Sequence, residues 1–318
     1  MKFVWIGLCV LLFLAAIVLL IAYLCFRMAF FVPKKRPVEK EEYPIPDGDE
    51  YLPYRDQMIA WIKEVRSLPH EDMEITSFDG LKLRGRYYEF APGAPVELMI
   101  HGYRGNSERD MCGGVQRSFA MGRSALVIDQ RCCGRSEGTV ITFGAKEHRD
   151  CLAWVEHMIR RFGPDVKIIL TGISMGAATV LIASGCDLPE NVIGVLADCS
   201  CSSAKEIISR IAHSRFGFPE GASYFFVRLG ARLYGGFDPD DADPVKAVRN
   251  TKVPVIFYHG EADDFVPCFM SKKICDACAS RKKLVTIPGA AHGLSYPKDP
   301  DTYLQTLAAF FGPEASAK

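Results

Sequence analysis

The sequence predicts an α/β fold with a mostly parallel central sheet, preceded by one membrane-spanning helix. Three observations lead there. Six short apolar segments, rich in branched residues, alternate with helical stretches. One uninterrupted apolar run opens the chain. One strand, KIILT, runs straight into GISMGAA, a glycine–serine–glycine turn with helix-forming residues behind it. Composition agrees. The 318 residues are 49% hydrophobic and 24% charged, with 38 basic residues against 38 acidic. That supplies a core for one sizeable domain and no basic surface for nucleic acid.

The first element is the run Phe3 to Phe26, 24 residues without a charge. As a helix it rises about 36 Å, enough to cross a hydrocarbon core of about 30 Å. It is longer than a signal-peptide core and no small-x-small cleavage site follows, so an uncleaved anchor over residues 1–31 is expected. Lys2 precedes it, whereas Arg27, Lys34, Lys35, Arg36 and Lys40 follow. The positive-inside rule therefore keeps the following domain in the cytoplasm.

Residues 32–69 read as a charged, proline-punctuated linker and an amphipathic helix, YRDQMIAWIKEV, from Tyr54 to Val65. The main domain is expected over 70–318. It opens with a hairpin turning at Asp79-Gly80. Strands follow at 96–100, 124–129, 167–171, 192–198, 253–258 and 283–287. They are short and apolar, as parallel strands covered on both faces should be. Helices are expected at 148–161 and 303–311. The longest interruption, 199–252, holds two helical patterns, one rich in aromatic residues. It reads either as a small cap or as ordinary crossover helices. Phe216, Phe218, Tyr224, Phe225 and Phe226 would then line an acyl pocket or pack the cap.

Twelve cysteines are present, two of them in the apolar run. A disulfide scaffold would be small and loop-rich, so free thiols are expected. Cys275 and Cys278 form a CDAC, but no second pair stands at zinc-site spacing, and no metal ligand is assigned.

Ser174 lies in G-x-S-x-G between a strand and a helix. Such a turn exposes the serine at the carboxyl end of its strand, beside a helix N-terminus that favours negative charge. A serine hydroxyl is a weak nucleophile and needs a base, and the base needs an orienting acid. Asp263, with Asp264 and Glu261 as rivals, follows the strand VPVIFY, and His292 follows KLVTI. Both loops leave carboxyl strand ends, where sites cluster in open α/β sheets.

These residues resemble the α/β-hydrolase superfamily, particularly its serine-hydrolase branch, some members of which are membrane-anchored esterases, lipases or aminopeptidases. The resemblance covers roughly residues 70–312. It rests on GISMG at 172–176, HGEADDFVP at 259–267, AHG at 291–293, HGYRGN at 101–106, DQRCCGRSEG at 129–138 and TFGAKEHRD at 142–150. Cys132 and Cys133 depart from the usual D-x-R-G-x-G-x-S loop. The resemblance implies an α/β-hydrolase fold with helices on both sheet faces. It implies Ser174 as nucleophile, Asp263 as acid, selected by its spacing to Val266-Pro267, and His292 as base. It places the oxyanion donors at the backbone N–H groups of Tyr103 and Met175, with no cofactor. The implied activity is hydrolysis of carboxylic ester or thioester bonds in a small or amphiphilic acyl substrate. The alternatives are a serine peptidase or amidase and a non-catalytic binding scaffold.

Overall fold

The computed structural model of the protein describes residues 1–33, 42–217 and 219–312. Residues 34–41 of the expected linker, the aromatic Phe218 and the last six residues lie outside them. Eight strands form one sheet: β1 Glu71–Thr76, β2 Lys82–Tyr88, β3 Val96–Ile100, β4 Ser124–Asp129, β5 Ile168–Ile173, β6 Val192–Asp198, β7 Val255–Gly260 and β8 Lys282–Ile287. Their order across the sheet is β1-β2-β4-β3-β5-β6-β7-β8. The β1–β2 hairpin and the β2–β4 pair are antiparallel, and every pairing from β4 onward to β8 is parallel. The sheet is thus mostly parallel with an antiparallel edge, as the strand pattern predicts.

The central strands β3 and β4 are buried along their whole length, whereas β1 alternates buried and exposed positions at the edge. This follows from placement: β3 and β4 are covered on both faces. One face packs Trp154, Val155 and Met158 of the Glu147–Phe162 helix with Val180 and Leu181 of the Met175–Ser184 helix. The other packs Tyr303, Leu307 and Phe311 of the Pro300–Phe311 helix against Leu196, Ile256 and Tyr258. β7 starts at Val255 rather than at Val253, since Pro254 has no N–H to give a ladder. β5 runs beyond the expected Thr171 through Gly172 and Ile173, so the strand delivers Ser174 without an intervening loop.

Between β6 and β7 stand the helices Ala204–Phe216 and Glu220–Gly230, then a wide turn at Ala231–Gly235. The long N-terminal helix, Lys2–Ala29, meets the domain along its last turns. Phe26, Phe30 and Val32 join a buried cluster with Phe143, Met175, Ala178 and Val227. Phe31 bridges Val140, with Val32 N–H donating to Thr139 O (2.8 Å) and Ile141 N–H to Phe30 O (2.9 Å).

Candidate active site

Ser174 sits between β5 and the Met175–Ser184 helix with φ 55° and ψ −118°. A non-glycine residue held there stores backbone strain, which the surroundings must impose. They do so by close approach. A Cβ on Gly172 would fall 2.2 Å from Gly176 O, and one on Gly176 would fall 2.0 Å from Ile100 O. Only glycine at both positions lets strand and helix fold back this sharply. Ser174 N–H donates to Asp198 O at 2.8 Å, fixing the turn to β6.

Ser174 Oγ lies 2.9 Å from His292 Nε2, and His292 Nδ1 lies 2.7 Å from Asp263 Oδ2. The charge on Asp263 assigns the tautomer. Nδ1–H donates to the carboxylate, which leaves Nε2 to accept from the serine hydroxyl. Asp263 Oδ1 accepts from the N–H groups of Phe265 (3.1 Å) and Val266 (2.8 Å). His259 supports the same carboxylate. Its Nε2 reaches Val266 O at 2.7 Å and Asp263 Oδ2 at 3.2 Å, while Nδ1 pairs with Ser271 Oγ at 2.6 Å. Burial of Asp263 favours its neutral form, but the bonds from His259, His292 and Val266 outweigh that and hold it at about 2. Of the rivals, Asp264 is exposed and Glu261 accepts from Thr286 Oγ1.

The loop after β3 closes over the serine. A Cβ on Gly102 would stand 3.4 Å from Ser174 Cβ. Gly102 N–H is committed to Asp110 Oδ2 (3.0 Å), so Tyr103 carries the next N–H along the loop. Met175 N–H is the first of its helix and has no intrahelical acceptor. His101, wholly buried, clamps the loop: its Nδ1 bonds Gly102 O (2.8 Å), its Nε2 accepts from Gln130 N–H (3.0 Å), and burial lowers its pKa. The Tyr103 side chain points elsewhere. Its hydroxyl donates to Ala29 O at 2.7 Å, at the end of the long N-terminal helix.

A cavity opens at Ser174 and His292, walled by Tyr51, Met58, Met111, Leu196, Phe265 and Tyr296. Among the described residues, Phe216, Tyr224, Phe225 and Phe226 do not line it. Tyr224 is buried in packing and Phe225 faces outward. Two contributors escaped the sequence reading. Tyr51, from the segment read as linker, donates its hydroxyl to His292 O at 2.9 Å. Cys199, held at φ 47° after β6, puts its sulfur 4.0 Å from His292 Nε2. Cys199, Asp263 and His292 bring ligand atoms within 4.8 Å of one another. Burial and the nearby Asp198 and Asp263 carboxylates push the Cys199 thiol well up, so it is a poor nucleophile at neutral pH. Cys275 and Cys278 of the CDAC pack in the core beside Ile274 and Val255.

A parallel sheet presenting a strained serine and a histidine at its carboxyl edge defines the class of the α/β hydrolases. The chain belongs to the alpha/beta hydrolase family, whose model matches residues 98–306. Among curated relatives, the uncharacterized protein YqkD of Bacillus subtilis is 24% identical over 60% of this chain, and the match spans 62% of YqkD. The uncharacterized membrane protein YNL320W of Saccharomyces cerevisiae is 25% identical over 71% of this chain and 75% of its own length. Among solved structures, the esterase Pf2001 of Pyrococcus furiosus superposes with a TM-score of 0.65 at 21% identity, covering 88% of this chain and 97% of that one.

Proposed function

We propose that the protein is a membrane-anchored serine hydrolase cleaving carboxylic ester or thioester bonds of a small or amphiphilic acyl substrate. One observation carries this reading: Ser174 Oγ, His292 and Asp263 stand in hydrogen-bonded line, at 2.9 and 2.7 Å, on a strained strand-to-helix turn. In this mechanism His292 Nε2 takes the Ser174 proton as the oxygen attacks the acyl carbon. The N–H groups of Met175 and Tyr103 hold the developing oxyanion. The carbon–oxygen or carbon–sulfur bond breaks, and the leaving group takes the proton from the imidazolium. Water then attacks the acyl-enzyme by the same base and frees the acid and Ser174.

The apolar walls from Met58, Met111, Leu196 and Phe265 suit an acyl chain. The apolar N-terminal helix favours a substrate found in or near a bilayer. The basic residues behind it, Arg27, Lys34, Lys35 and Arg36, favour a cytoplasmic domain.

A fluorophosphonate probe tests the reading. Wild type and Cys199→Ala are expected to label, and Ser174→Ala is expected not to, with kcat down on the order of 10⁴-fold or more. Absence of labelling of folded wild type at neutral pH would count decisively against it. Rates on p-nitrophenyl esters of increasing chain length, beside an aminopeptide panel, separate ester from amide preference. Best turnover of the acetyl ester would remove the amphiphilic substrate.

A further inference from the structure

The last turns of the apolar helix are not clear of the domain. Ala22 is fully buried, and a Cβ on Gly230 would come within 2.1 Å of Ala22 O. Tyr234 meets Tyr23 edge to face at 5.2 Å, and its hydroxyl donates to Leu19 O at 3.2 Å. Docking thus begins by Val18, which is half-buried, well before the apolar run ends at Phe26. What stands free is Phe3 to Ile17, 15 residues, a rise of about 22 Å. A hydrocarbon core is about 30 Å thick. The free stretch alone is too short to cross it, so a crossing must also use the docked turns, and whatever is packed on them goes in too.

We infer that the helix Glu220–Gly230 and the turn Ala231–Gly235 are immersed in the membrane leaflet next to the domain, packed against the end of the spanning helix. This rests on the reading of Lys2–Ala29 as a membrane span. The outward side chains agree with it. Phe225 and Leu233 are 59% and 53% exposed, and on the N-terminal helix packed against their elements Leu20 is 56% and Leu24 55% exposed. Both elements therefore turn apolar side chains outward. The two arginines of the segment are neutralised. Arg228 pairs with Asp238 (2.8 Å) and Asp240 (2.7 Å), and Arg232 pairs with Asp238. Long arginine stems carry such pairs toward the headgroups. The depth also fits: Leu19 to Phe26 rises about 10 Å, near the 5–10 Å to which interfacial helices sink. The same leaflet then borders the Tyr103 loop, whose hydroxyl is bonded to Ala29 O. An amphiphile dissolved there would meet the cap before it met water.

Photolabelling tests this. The full chain is reconstituted into phosphatidylcholine and phosphatidylglycerol vesicles doped with a diazirine-bearing phospholipid, irradiated, digested and mapped by mass spectrometry. Lipid adducts are expected in both 2–29 and 220–235, with none in the Glu147–Phe162 helix. Adducts in 2–29 but not in 220–235 would overturn the inference and leave the spanning helix intact. Protein–protein links through Phe225 in place of lipid adducts would assign the face to a second copy and likewise overturn it. No adducts in 2–29 would remove the spanning helix itself, and the inference with it.

Discussion

Asp263 is the residue whose charge costs most to hold. It is buried, yet kept ionised by two imidazoles and two main-chain donors, with a pKa near 2 against an ordinary 3.8. A depressed carboxylate contributes stability above its unfolded value and loses it as pH falls through the folded one. That window runs from about pH 4 to about pH 2. In detergent, the excess stability of wild type over Asp263→Asn is expected to shrink by on the order of 2 kcal/mol from neutral pH to the bottom of that window. Denaturant unfolding at both ends checks it, and a constant difference would show that Asp263 is not held so low. Ser174, Asp263 and His292 were legible because each sits in a short motif at a strand end. Tyr51 and Cys199 were not. Tyr51 acts through a bond to His292 O across 241 positions of chain, and Cys199 meets His292 across 93. No local spacing encodes either approach.

Among the elements, β3 carries the least expected side chain. Glu97 is fully buried in it, between Arg117 at 2.8 Å and Arg123 at 2.6 Å. Burial favours the neutral acid, but the two guanidinium groups outweigh it and hold the pKa below the usual range. Removing one partner of such a group leaves buried charge uncompensated. Glu97→Ala is expected to cost about 3–5 kcal/mol in urea unfolding. A loss under 1 kcal/mol would mean that water reaches the arginines. Six strands were legible from branched apolar runs bounded by turns, and the β1–β2 hairpin from its Asp79-Gly80 turn. The helices Ser107–Asp110 and Gly114–Ala120 were not, since neither is long enough to show a period and the second opens on two glycines.

Over the whole molecule, composition sets an apolar run, a charged stretch and a mixed α/β region apart, and composition is blind to how such parts meet. The end of the N-terminal helix is in the core. Phe30 is fully buried, with its ring edge-on to Phe143 at 5.8 Å and Phe237 at 5.1 Å. Arg104 adds a bond to Met28 O at 2.9 Å. These contacts do not depend on the peptide bonds that follow Pro33. With a protease site placed between Pro37 and Val38, cleavage of membrane-reconstituted protein is expected to leave the catalytic fragment in the pellet after centrifugation. Its release into the supernatant at moderate salt would show that the linker alone holds it. The N-terminal helix is, in this light, a subunit rather than a tether. It shares an interface with the domain and cannot be shed without opening the cluster beneath Met175.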